Sequence, residues 1–304
     1  MRKEFTIMKK RKAMSIKNNN IMVISPSMNL VEGNQQDLIE SEKNAKQLKL
    51  NTLYSKNSYF TSQDEKKLIE NKVSDIKVSF SDNNIQIIIA SKGGLFTHKL
   101  LNHIDFDTIK NNPKIIIGMS DITSLLNAIY AKTGLITFHS CIFKGFLKGK
   151  NEYNMNEFVR ILINSGKGVY PKNTPWLTIR KGSGTGTLVG GNLTSLNFIV
   201  GTEYFPKEDN YVLFLEDPSF EIKPDTVKKS LLNLKKNGIF NKTNGILVGN
   251  YDEFGTLEKL VLEVTKEFDF PIIKCDDFGH TYSNTTFAIG ATVKIDSTKS
   301  ELIL

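Results

Sequence analysis

The chain has 304 residues, of which 39% are hydrophobic and 24% charged; this is a globular composition and excludes a disordered or fibrous polymer. The net charge is +8, but residues 1–20 hold seven Lys/Arg against one Glu, so the rest is nearly neutral and offers no basic groove for nucleic acid. Two cysteines, Cys141 and Cys275, are too few for a disulfide framework or a four-cysteine zinc site, and no run of about eighteen apolar residues marks a membrane span.

Residues 1–20 read as a basic, disordered leader. Met14-Ser15-Ile16 stops at Lys17, short of the apolar stretch of an export signal, so a cytoplasmic chain with reduced thiols is expected. Ile21–Ile24 reads as a strand closed by Ser25-Pro26-Ser27. Helical spacing over about 34–48 (Leu38, Ile39, Ala45, Leu48) and over Asp64–Val73 predicts two helices. Ile85–Ile89 is a buried strand ending at Ser91-Lys92-Gly93-Gly94, and Lys114–Ile117 is the next, ending at Gly118-Met119-Ser120-Asp121. A helix follows with Leu125, Leu126, Ile129 and Tyr130 on one face. It stops at Gly134, and Leu135–Phe138 resumes strand.

Residues 139–175 are irregular apart from a helix near Glu157–Ile163. Beyond them come a strand at Trp176–Ile179, a Gly-rich run at 182–186 and a strand at Thr187–Val189, with Gly190-Gly191-Asn192 opening a short helix. Tyr211–Leu215 is a strand ending at Glu216-Asp217. A helix at Asp225–Lys236, a strand at Ile246–Val248, a helix at Leu257–Phe268 and strands at Pro271–Lys274 and Thr292–Ile295 complete the pattern. Strand–helix alternation predicts an α/β fold with parallel sheets covered on both sides. It divides into the leader, an N-terminal domain over 21–150, a connection over 151–175 and a C-terminal domain over 176–304.

In open α/β sheets, sites form where strands end at their carboxyl edges. Four such ends carry polar or Gly-rich punctuation here: Gly93-Gly94, Ser120-Asp121, Glu216 and Gly279-His280. Together they supply the parts of a serine hydrolase. Ser120 occupies a strand-to-helix turn that would expose its hydroxyl; His280 is the candidate base, and Glu216 could orient the imidazole. The backbone N–H groups of Gly93 and Asp121 could hold an oxyanion. Each residue also has a plainer reading: Ser120 as a helix N-cap, His280 as a satisfied polar residue, Glu216 as a surface acid, Gly93-Gly94 as a turn. His139 is a rival base that reads better as a wall residue. His98, His103 and His139 have no spacing that suggests a metal.

The segment Asn112–Thr123, with Tyr130–Phe138, Gly93-Gly94, Gly190-Gly191-Asn192-Leu193, Leu213–Asp217 and Asp277–Thr281, resembles the serine peptidase family of LD-carboxypeptidases and microcin C immunity (MccF-like) proteins. The pieces follow the family's order over nearly the whole chain after residue 20. The resemblance implies a Ser120–Glu216–His280 triad and an oxyanion hole at Gly93 and Asp121. It also implies a Rossmann-like (class I amidotransferase-like) N-terminal domain, a smaller C-terminal α/β domain, and a homodimer without metal or cofactor. The expected substrate is a small peptide or peptidyl-nucleotide cleaved at an amide near a free C-terminus: the L,D bond of a muropeptide, or a microcin C-like aminoacyl nucleotide. Gly94 and Trp176 are candidate substrate contacts, Trp176 by stacking on a base, although a lone Trp is more often a packing residue. The chain departs from the family pattern at Met119, Ser140-Cys141, Leu95-Phe96 and Tyr282–Gly290. These departures motivate the alternative of a non-catalytic ligand-binding protein on the same scaffold.

Overall fold

A computed structural model describes residues 19–31, 35–144, 146, 152–160 and 166–304. The leader over 1–18 and the predicted helix ends at 34 and 161–163 lie outside the described residues. The first unit runs β1 (Asn20–Ile24), α1 (Gln35–Gln47), β2 (Asn51–Tyr54), α2 (Glu65–Ser81), β3 (Ile87–Ala90), a 3₁₀ turn (Thr97–His103), α3 (Phe106–Asn111), β4 (Ile115–Gly118), α4 (Ile122–Thr133) and β5 (Thr137–His139). β3 and β4 are buried at every residue, as central strands covered on both faces must be. α2 is N-capped by Asp64, whose carboxylate accepts from the N–H groups of Lys66 and Lys67. It runs past Val73 to Ser81, because Ile76 and Phe80 extend the buried stripe. β2, Asn-Thr-Leu-Tyr, is part-exposed at the sheet edge and too short to show an apolar alternation.

The second unit runs α5 (Glu152–Phe158), β6 (Leu177–Arg180), β7 (Ser183–Asn192), α6 (Leu193–Asn197), β8 (Tyr211–Glu216), α7 (Pro224–Lys236), β9 (Thr243–Val248), α8 (Thr256–Val264), β10 (Ile272–Lys274), β11 (Phe287–Ile289), β12 (Thr292–Asp296) and β13 (Glu301–Ile303). Its sheet has the order β13-β12-β7-β8-β9-β10-β6, with β7 to β10 parallel. The Gly-rich run at 182–186 is not a loop before a short strand. From Ser183 onward it belongs to β7, paired with β12, and a Cβ at Gly184 would lie 2.0 Å from the Asn244 carbonyl oxygen.

The first sheet has the order β11-β5-β4-β3-β1-β2. Its last strand comes from late in the chain: β11 pairs antiparallel with β5, Phe287 opposite His139. The two units therefore share a sheet as well as a core. Phe214, Phe278 and Phe287 pack ring to ring across the junction, with centroids 4.9 Å apart for Phe214–Phe287 and 5.1 Å for Phe278–Phe287. α4 is tied directly to β7. The Asn127 side chain donates to Gly190 O at 2.9 Å and accepts from Gly190 N at 3.4 Å, while Asn192 N donates to Thr123 Oγ1 at 3.0 Å. Asn127 is fully buried, so its loss strands both polar groups of Gly190. Asn127→Leu is expected to destabilise the fold by about 2 kcal/mol, read as a lower midpoint in urea unfolding.

Candidate active site

β4, β8 and the turn after β10 bring three side chains to one point. Ser120 follows the β4 terminus by two residues and has φ 60, a left-handed conformation that costs a non-glycine residue about 1–3 kcal/mol. The turn closes with Thr123 N donating to Ser120 O at 2.9 Å, and α4 begins directly beyond it. Asp121, not Ser120, occupies the N-cap position of α4. The Ser120 hydroxyl lies 3.1 Å from His280 Nε2. His280 Nδ1 lies 2.9 Å from Glu216 Oε2. Glu216 is the last residue of β8 and fully buried. The arrangement is a hydroxyl, an imidazole and a carboxylate in hydrogen-bonded sequence, with the carboxylate on the ring nitrogen away from the hydroxyl.

Two glycines make this approach possible. A Cβ on Gly93 would stand 2.8 Å from both Ser120 Cβ and Oγ, so only glycine lets that backbone lie against the hydroxyl. Gly279 has φ 98, and a Cβ there would meet Glu216 Oε2 at 2.7 Å. The backbone N–H groups of Gly93 and Asp121 make no hydrogen bond to the described residues. Gly94 packs on Ser27 and Met28, which line a cavity of about 560 Å³ beside this loop together with Lys72, Leu95 and Phe96.

The Asp121 carboxylate has a task that sequence reasoning missed. Its Oδ2 accepts from Ser27 Oγ at 2.6 Å, Phe96 N at 2.7 Å, Thr97 N at 2.9 Å and Thr97 Oγ1 at 2.7 Å. It thus ties the loop after Gly93-Gly94 to the Ser120 turn. Asn192 was also missed. Its Nδ2 donates to Glu216 Oε1 at 3.3 Å and Asp217 Oδ1 at 2.7 Å, while its Oδ1 accepts from Ser195 N and caps α6. The only local signal was an Asn at a helix start.

Burial alone would lower the His280 pKa, but the Glu216 hydrogen bond and charge, with Glu221 and Asp217 further out, raise it above its ordinary value. Asp217 is pushed up to about 7, first by burial and then by the adjacent Glu216 charge. His139 is fully buried and lowered to about 4 by that burial, so its ring is neutral. Neither of its ring nitrogens has a partner among the described residues, and it packs edge-on against Phe214 at 5.2 Å. Trp176 is buried, and its Nε1 donates to Asp277 Oδ2 at 2.7 Å. Met119, Ser140 and Cys141 are buried, so these departures change packing. Among the described residues, no three His, Cys, Asp or Glu side chains stand together to hold a metal ion.

Two family models match the chain: the LD-carboxypeptidase N-terminal domain over residues 21–140 and the LD-carboxypeptidase C-terminal domain over 185–295. The Bacillus subtilis protein YocD, provisionally named a carboxypeptidase, is 30% identical over 92% of this chain and 94% of its own. The microcin self-immunity protein MccF of Escherichia coli is 32% identical over 70% of this chain and 72% of its own. Another Bacillus subtilis protein, provisionally named a murein peptide carboxypeptidase, is 26% identical over 83% of this chain and 80% of its own. Among solved structures, an MccF-like protein from Bacillus anthracis superposes with a TM-score of 0.82 at 28% identity, covering 96% of this chain and 97% of that one. MccF in complex with aspartyl sulfamoyl adenosine superposes with a TM-score of 0.86 at 25% identity and the same coverage.

Asp121→Ala would leave buried donors on Ser27, Phe96 and Thr97 unpaired. The expected loss is about 3 kcal/mol or more in chemical unfolding, and Asp121→Asn, which keeps an acceptor, should cost less.

Proposed function

The chain belongs to the LD-carboxypeptidase family of S66 peptidases, and we propose that it is a serine hydrolase cleaving an amide near a free C-terminus. The observation that carries this reading is the chain of contacts from Ser120 Oγ to His280 Nε2 and from His280 Nδ1 to Glu216. A hydroxyl is a weak nucleophile until a base takes its proton. Neutral His280 removes that proton through Nε2 as Ser120 attacks the carbonyl. Glu216 accepts the Nδ1–H, which keeps Nε2 as the basic nitrogen and stabilises the imidazolium that forms. The N–H groups of Gly93 and Asp121 receive the oxyanion. His280 then gives its proton to the leaving amine, and the same groups activate water to release the acyl product. Every step is assigned to a side chain or backbone group, and the reading requires no metal or cofactor. It carries with it a cytoplasmic homodimer, whose assembly sedimentation would measure.

Two substrates fit this chemistry. One is the L,D bond of a muropeptide, in line with the relative named for murein peptides. The other is an aminoacyl nucleotide, in line with the ligand bound to MccF. Incubation with a tetrapeptide muropeptide and, separately, with an aminoacyl adenylate analogue bearing a cleavable amide distinguishes them by mass spectrometry. Release of D-alanine selects the first and release of the amino acid the second. No product from either would favour a ligand-binding protein without turnover.

Ser120→Ala and His280→Ala are each expected to lower kcat by about 10³-fold or more, because the members act as a unit. A near-normal rate in either variant would overturn the assignment. The base works only when neutral, and its pKa is raised. kcat/KM should therefore fall as pH drops through a midpoint above the ordinary histidine value of about 6.5. Glu216→Gln removes the main raising influence, so this acid limb should move to lower pH while the rate declines.

A further inference from the structure

Phe220 lies in the turn between β8 and α7, four residues beyond Glu216, and is 75% exposed. Its ring sits edge-on to the His280 imidazole, with centroids 6.1 Å apart and planes at 81°. A single exposed apolar residue is ordinary on a protein surface. This one is in ring contact with the imidazole that must deliver a proton to the departing amine. His280 Nε2 faces Ser120 Oγ, so the amine that accepts the proton comes within hydrogen-bond reach of Nε2. A residue carrying that amine therefore binds close to the imidazole that Phe220 contacts.

We propose that Phe220 is a specificity-determining residue: it forms the wall of the subsite for the released residue and selects an apolar side chain there. The inference rests on the hydrolase reading above. A branched aliphatic side chain laid on the ring removes apolar surface of both partners from water. A charged one would lose hydration against the same ring. The charged groups that bear on His280 are Glu216, Glu221 and Asp217, all acidic, so an acidic side chain also meets like charge. The α-carboxylate of the released residue is common to all peptides compared and cancels between them.

The test uses four peptides with one acyl donor and D-Ala, D-Leu, D-Glu or D-Lys as the released residue. kcat/KM is measured for the full chain, for Phe220→Ala and Phe220→Leu, and for Val78→Ala, which changes an exposed apolar residue on α2 of the other unit. The unmodified chain is expected to prefer D-Leu over D-Glu and D-Lys by about tenfold or more. Phe220→Ala should bring the D-Leu to D-Lys ratio close to one, mainly through KM, while the like-charge disadvantage of D-Glu remains. Phe220→Leu should keep most of the preference, and Val78→Ala should leave the ranking unchanged. The same peptides are titrated calorimetrically into Ser120→Ala protein, with and without Phe220→Ala, so that ranking is read without turnover. Cleavage with no ranking, a ranking untouched by Phe220→Ala, or a preference for D-Lys overturns the wall. Ranked binding without cleavage by the unmodified chain overturns the hydrolase reading and leaves the wall standing. Neither binding nor cleavage overturns both.

Discussion

The contact between the Glu216 carboxylate and the His280 imidazole is the constraint on which the site depends. A carboxylate with no solvent exposure is costly unless each oxygen is paired. Here one oxygen takes His280 and the other takes Asn192. The rest of the local sequence follows from that requirement. Gly279 must lack a side chain so that the His280 turn can close on the acid. Asn192 must end β7 beside the end of β8, and it does so because the two strands pair in parallel, Asn192 opposite Glu216. Asp217, next in the chain, is drawn into the same polar cluster through Asn192 and Thr194.

The Ser120 side is built on a different logic. Ser120 is held in a left-handed turn by what surrounds it, as strained residues at functional sites generally are. The strand before it is a fully buried row of isoleucines, the helix after it is buried along much of its length, and Gly93 leaves no side chain to push it aside. The Asp121 carboxylate then couples this turn to the loop that carries Gly93 and Gly94. One buried acid therefore aligns His280 and a second aligns the groups around Ser120. Neither acid needs to touch a substrate to do so.

Much of this was legible in the amino-acid order because strand ends announce themselves. An all-isoleucine run stopping at Gly118-Met119-Ser120, an apolar run stopping at Glu216, and a glycine before His280 are local signals. The meeting of these three side chains is not local, since His280 and Ser120 are 160 positions apart, and only strand order brings them together. Other features were hidden for identifiable reasons. β2, β11 and β13 are short and depend on neighbours rather than on periodicity. The glycines of β7 showed no strand periodicity, and they are small because backbone of Asn210, Phe214 and Asn244, at and within β8 and β9, lies against them. Trp176 found its partner in an acid 101 positions away, which no spacing rule could supply. The carboxylate of Asp121 was hidden behind its own amide, the part of the residue that the turn brought to notice.

The strand β11 has a consequence for how the molecule can be divided. The matched N-terminal segment stops at residue 140, but the partner of β5 in that sheet comes from residues 287–289. Cut at the junction, the first unit would display β5 as a bare edge, a template for pairing with other chains and so for aggregation. The halves look modular along the sequence, yet they are interlocked in space and depend on each other for solubility.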